Sequence, residues 1–146
     1  MGLPHVPSAV RARLLGDAVF AAACGGRCTV KKAPADVSRP FAVVQIPGGV
    51  PMDDHGWVLR PLIQVNAWCP DGWTAGDPDL VVWDIIAAAK QVLGSSDFET
   101  YTDSRGSMTY RVRLTDGPLP MEDISRGDGV PLQGYALRAE LVLQHT

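Results

Sequence analysis

Three cysteines, Cys24, Cys28 and Cys69, and three histidines, His5, His55 and His145, carry most of the chemistry available to this 146-residue chain. Three residues separate Cys24 from Cys28, a spacing that paired zinc ligands use. With Cys69 and one histidine they would make a Cys₃His set, and a small cytosolic zinc-dependent enzyme is the reading that follows. The second paired half of such a motif is missing, and lone cysteines are commonly small buried hydrophobes. An odd cysteine count also argues against a disulfide framework. A histidine base needs a nucleophile or an orienting carboxylate within hydrogen-bond reach. Only Asp53-Asp54-His55 has such neighbours, in a glycine-rich stretch that reads as a solvated turn. Asp116, Glu122, Asp123 and Asp128 lack the alternate ligand positions and closing Glu of a calcium-binding loop. Gly25-Gly26 and Gly48-Gly49 have no phosphate-loop sequel. Trp57, Trp68, Trp73 and Trp83 stand without interleaved basic residues, so packing explains them better than base stacking. These observations predict no catalytic residue, metal or cofactor, and hence no enzymatic activity.

Composition points the same way. Net charge is −3 with a pI near 5.5, and the mean hydropathy is +0.03. The basic residues look scattered, Lys31-Lys32 being the densest pair, so no stripe for gripping phosphates is visible. No run approaches the roughly 18 apolar residues of a membrane span. The first eight residues lack the charged-then-apolar order of a signal peptide, which predicts a protein made and kept in the cytosol.

The elements that would position any site follow from periodicity. Ser8 reads as an N-cap for a helix over 9–23, with Val10, Leu14, Ala18 and Ala22 on its apolar stripe and Leu15 and Val19 beside it. Gly25-Gly26 stops it. Strands follow over 27–32 and 41–46, then the polar stretch 48–56. A strand over 57–69 alternates Ile63, Val65 and Ala67 with Gln64, Asn66 and Trp68; Pro61 belongs near its start or on an edge. Asp77-Pro78 starts a helix running to Leu93, with Val82, Ile85, Ile86, Ala89 and Leu93 on one face. Short strands over 98–102 and 109–114 precede a long acidic excursion, 115–130, and a closing alternating strand spans 133–144. This predicts one domain over 1–146 of α+β class: a mostly antiparallel sheet of about five to six strands with two helices packed on it.

The layout resembles the tail terminator (tail completion, head–tail joining) family of siphophages and their prophage relatives. The opening helix, VRARLLGDA at 10–18, is similar to the family's, where an Asp-Ala pair precedes a second apolar run. Gly25-Gly26-Arg27 leads into the first strand as a Gly-x-Arg turn does in that family. Ala33-Pro34 and PFAVVQ at 40–45 resemble its loop and second strand. IQVNAW at 63–68 resembles its third strand, where a variant of Q-x-x-x-W precedes the long helix. The chain departs from the commoner form between Gly94 and Gln133, which is longer and more acidic.

The resemblance implies a non-enzymatic virion protein of the tail, at the head–tail interface, assembled in the host cytoplasm. It implies a homo-hexameric ring that caps the tail tube and meets two partners, the major tail tube protein and a head-side connector or stopper protein. DNA would pass through the lumen without specific binding, and no membrane is involved. Another head–tail connector subunit or a tail tube protein is the neighbouring alternative.

A ring closes through head-to-tail contacts made by unlike patches. The loops 48–56, 103–108 and 115–130 mix apolar and polar residues as an interface with a polar rim does. They nominate Val50, Met52, Asp53, Met108, Leu119, Met121 and Ile124 as contacts with neighbouring subunits or partners.

Overall fold

Two proline-shaped helix starts and one long β-hairpin set the frame. The computed structural model describes residues 2–47, 58–95, 97–123 and 131–145, at positions 58, 122 and 123 for the backbone alone. Helix α1 spans Val6–Leu15 and α2 spans Ala18–Ala23. Strands β1 (Cys28–Val30) and β2 (Phe41–Gln45) follow, then β3 (Val58–Leu59) and β4 (Leu62–Pro70). Helix α3 is Pro78–Leu93, and β5 (Glu99–Asp103), β6 (Gly106–Asp123) and β7 (Leu132–His145) complete the chain.

The strands form one mixed sheet in the order β1-β2-β4-β7-β6-β5, with β3 also on β7. Among the described residues all pairings are antiparallel except β1 with β2. The α+β class expected from the sequence is the class observed, with three helices and a seven-stranded sheet among the described residues.

The opening helix starts earlier than expected and is broken. Pro7 sits in the first turn, where its missing N–H costs nothing, so His5 rather than Ser8 is the cap residue. At Gly16-Asp17 the chain leaves the helix, and the Asp17 carboxylate accepts from Phe20 N at 2.9 Å to cap α2. The break redirects α2. Phe20 becomes its fully buried residue, while Ala18, Val19 and Ala22, predicted to continue the buried stripe, are exposed. Gly25 and Gly26 then turn with φ of 62° and 72°.

The predicted strand 57–69 is β3 and β4 in a common register on β7, interrupted at Arg60-Pro61 because proline cannot donate to the ladder. The larger correction concerns 115–130. Residues 115–123 are no excursion; they extend β6 along β7 through two register shifts, between Leu114 and Asp116 and between Asp116 and Leu119. Gly117 makes this possible: its φ is 118°, and a Cβ there would lie 2.8 Å from the Ala136 carbonyl oxygen.

The helices cover one face of the sheet. Val10, Leu14, Phe20, Val82, Ile85, Ile86 and Leu93 meet Ile63, Val65, Tyr110, Val112, Leu137 and Leu141 there. Asp77 caps α3 as expected, accepting from Asp79 N at 3.0 Å. A smaller cluster on the other face joins Val37, Phe41, Val43 and Leu132 beneath the 31–40 segment, with Trp68 against it.

Candidate assembly surfaces

The chemistry-bearing residues are dispersed. Cys24, Cys28 and Cys69 are free and buried, the first two beside α2 and β1, the third at the far end of β4. Burial pushes the Cys28 thiol up to about 12 and the Cys69 thiol to about 11, and raises that of Cys24. His5 precedes α1 and His145 ends β7. Among the described residues, no three His, Cys, Asp or Glu side chains gather as a metal-ligand set. His55, its aspartate neighbours and Asp128 lie outside the described residues.

The nominated contact residues divide three ways. Val50, Met52, Asp53 and Ile124 lie outside the described residues. Met108 is not on an exposed loop: it is 2% exposed, in β6, within the core. In the 103–108 segment only Ser104 and Arg105 form the turn between β5 and β6, and strand alternation sends Met108, Tyr110 and Val112 toward the helices. Leu119 and Met121 are half-buried in the extended part of β6, opposite Ala136 and Gly134.

Two exposed surfaces were not anticipated from the sequence. On the helical layer, Ala18, Val19 and Ala22 of α2 and Asp84, Ala87 and Gln91 of α3 line a shallow groove of about 790 Å³. Ala87 and Gln91 also line a second groove of about 690 Å³, which continues over Trp83 and Lys90 to Leu114 and Pro118 of β6. Val19 is 68% exposed, Leu80 60% and Trp83 45%. Trp83 is held edge-on to Tyr135, with ring centroids 5.3 Å apart, and the Tyr135 hydroxyl donates to Asp79 Oδ1 at 2.8 Å. That bond to a carboxylate raises the Tyr135 pKa. The signal was in the sequence: Leu80, Trp83 and Ala87 form a second apolar stripe on α3, at i, i+3 and i+7.

The second surface is the half of the sheet's other face that the 31–40 segment leaves open. Arg111 and Arg113 alternate outward from β6, Arg138 points the same way from β7, and Arg60 is exposed at the β3–β4 break. The Arg111 guanidinium stands over the exposed Phe98 ring, 5.7 Å from its centroid. Arg138 Nε donates to Gln64 Oε1 at 3.0 Å, and Gln64 Nε2 donates to buried Asn66 Oδ1 at 2.7 Å. Glu140 lies opposite Arg113, and Asp116 opposite Arg138. The ion pairs formed among the described residues, Arg39–Asp36 and Arg105–Asp103, lie elsewhere. Arginines that look scattered along the chain are gathered here by strand alternation and pairing.

No protein-family model matches the chain, and no curated protein does. Among solved structures it is similar to a chain in the virion of a native gene transfer agent particle. The TM-score is 0.57 at 17% identity, over 94% of this chain and 94% of that one. The two share a fold.

Proposed function

We propose that this chain is a structural protein of a phage-like virion, and within that class a tail terminator. Its copies form a six-membered ring at the head-proximal end of the tail tube, contacting the major tail tube protein on one side and a head-side connector on the other. The observation that carries this reading is the shared fold with the gene transfer agent virion chain, which runs almost end to end on both chains. The tail terminator assignment adds to this the order of sequence segments from VRARLLGDA at 10–18 through IQVNAW at 63–68. The surface suits assembly: exposed apolar residues stand within polar rims on two sides of the subunit, the composition of a protein–protein contact.

Native mass spectrometry across a protein concentration series, without added metal, tests the reading. The expected species is a metal-free ring of six times the 15.6 kDa subunit mass. A monomer holding one zinc per chain would replace it with the enzyme reading.

A further inference from the structure

Building on the ring reading, we infer that neighbouring copies of this chain dock front to back. The open, arginine-bearing face of the sheet on one copy sits against the outer face of α3 on the next. The two faces are complementary in both charge and apolar content. The sheet face carries Arg60, Arg111, Arg113 and Arg138 against Glu140 and Asp116, and it exposes Phe98 at 66% and Leu62 at 40%. The α3 face carries Asp77, Asp79 and Asp84, with Lys90 the one cation of the helix, around exposed Leu80 and Trp83.

Because the helices and the open sheet face lie on opposite sides of the subunit, a contact between them is heterologous. Such a contact leaves one free face of each kind at the ends of any open row, and closure into a ring satisfies both. A self-complementary two-fold contact would instead set arginines against arginines, or aspartates against aspartates, a repulsive arrangement.

A polyanion is the other occupant an arginine surface could take. Two observations favour a protein. Glu140 and Asp116 sit directly opposite Arg113 and Arg138, so carboxylates interrupt the basic rows that phosphates would track. The exposed apolar pair, Phe98 and Leu62, gains more from a desolvated protein contact than from a phosphate backbone.

Charge exchange tests the docking. Arg111→Glu/Arg113→Glu reverses the sheet face, and Asp79→Lys/Asp84→Lys reverses the helix face. Each variant alone presents like charges to itself and is expected to sediment as a monomer where the wild type associates. An equimolar mixture restores opposite charges at every junction and recovers the assembly. Neutralised variants, Arg111→Ser/Arg113→Ser and Asp79→Asn/Asp84→Asn, also lose association alone; on mixing they regain only the junction between the intact sheet face of one and the intact helix face of the other, and stop at a heterodimer. They carry the test of loss should a reversed variant melt early.

If the wild type forms rings and the reversed variants form them equally well, this contact is wrong and the ring stands. If the mixture of folded reversed variants stays monomeric, the pairing of these two faces is wrong. A wild type that remains monomeric at every concentration overturns the docking and the ring together. If that monomer also binds duplex DNA through Arg111 and Arg113, the face is a nucleic-acid surface.

Discussion

Helix α3 has two apolar stripes with different jobs, and two substitutions separate them. Ile86 is fully buried against the sheet, whereas Leu80, on the outer face, is 60% exposed. Ile86→Ala removes three carbons from a close-packed layer that includes Val65 and Leu137, a change that typically costs about 2–5 kcal/mol. Leu80→Ser removes an apolar surface that is already mostly in water, and substitutions of that kind typically stay within about 0.5 kcal/mol. For a chain of this length, each kcal/mol moves the melting temperature by roughly 2–4 °C, so Ile86→Ala should lower it by about 4–20 °C. Leu80→Ser should leave it within about 2 °C by the same conversion. Thermal unfolding followed by circular dichroism, on both variants under dilute conditions that favour the monomer, measures the difference. Equal shifts, or a larger loss for Leu80→Ser, would refute the orientation of α3 and with it the assignment of an outer docking face.

Three further outcomes follow from particular contacts. Gly134→Ala places a Cβ 2.5 Å from the Trp68 ring and 2.8 Å from the Ala67 carbonyl oxygen. It should destabilise by about 1–3 kcal/mol in urea unfolding, and Trp68→Leu in the same chain should recover part of the loss; an unchanged urea midpoint would contradict the packing. The Asp103 carboxylate accepts from the backbone N–H groups of His5, Arg105 and Gly106, which hold its pKa below the ordinary carboxylate value. Its contribution is therefore complete above that ordinary value, about 3.9, and is lost as pH falls through the lower folded one. The melting-temperature gap between wild type and Asp103→Asn should be constant from neutrality to mild acid and close below it; a gap that widened in acid would reverse the sign. Cys24, Cys28 and Cys69 should resist a soluble thiol reagent at neutral pH and react together in denaturant, since all three are buried thiols with raised pKa values. Rapid labelling of the native protein would contradict their placement.

Much of this fold is legible in the sequence because its strongest signals are periodic. The Asp77-Pro78 start, the 3.6-residue stripe of α3 and the alternation of β4 and β7 each name an element and the face it buries. What was not legible depends on geometry between residues distant in sequence. Gly16-Asp17 reads as part of one continuous helix until Asp17 is seen capping Phe20, and only that break explains why Val19 is exposed. The 115–123 segment is rich in glycine, proline and acid, the composition of a loop. It becomes a strand because β7 offers a long partner and Gly117 absorbs the misfit. Met108 looked exposed because its neighbours are polar, yet its parity in β6 fixes it in the core. The arginine face emerges only when β6 and β7 are paired, since Arg111 and Arg138 are far apart in the chain. The loops that supplied Val50, Met52, Asp53 and Ile124 lie outside the described residues, so their part in assembly belongs to the ring proposal.

The most direct test of the terminator proposal is electron microscopy of tail tubes polymerising from the cognate tube protein, with this protein added at increasing ratios. A terminator predicts a ring-shaped density at one end of each tube and a tube length that falls as the protein is added early. Bare ends and an unchanged length distribution at every ratio would contradict it.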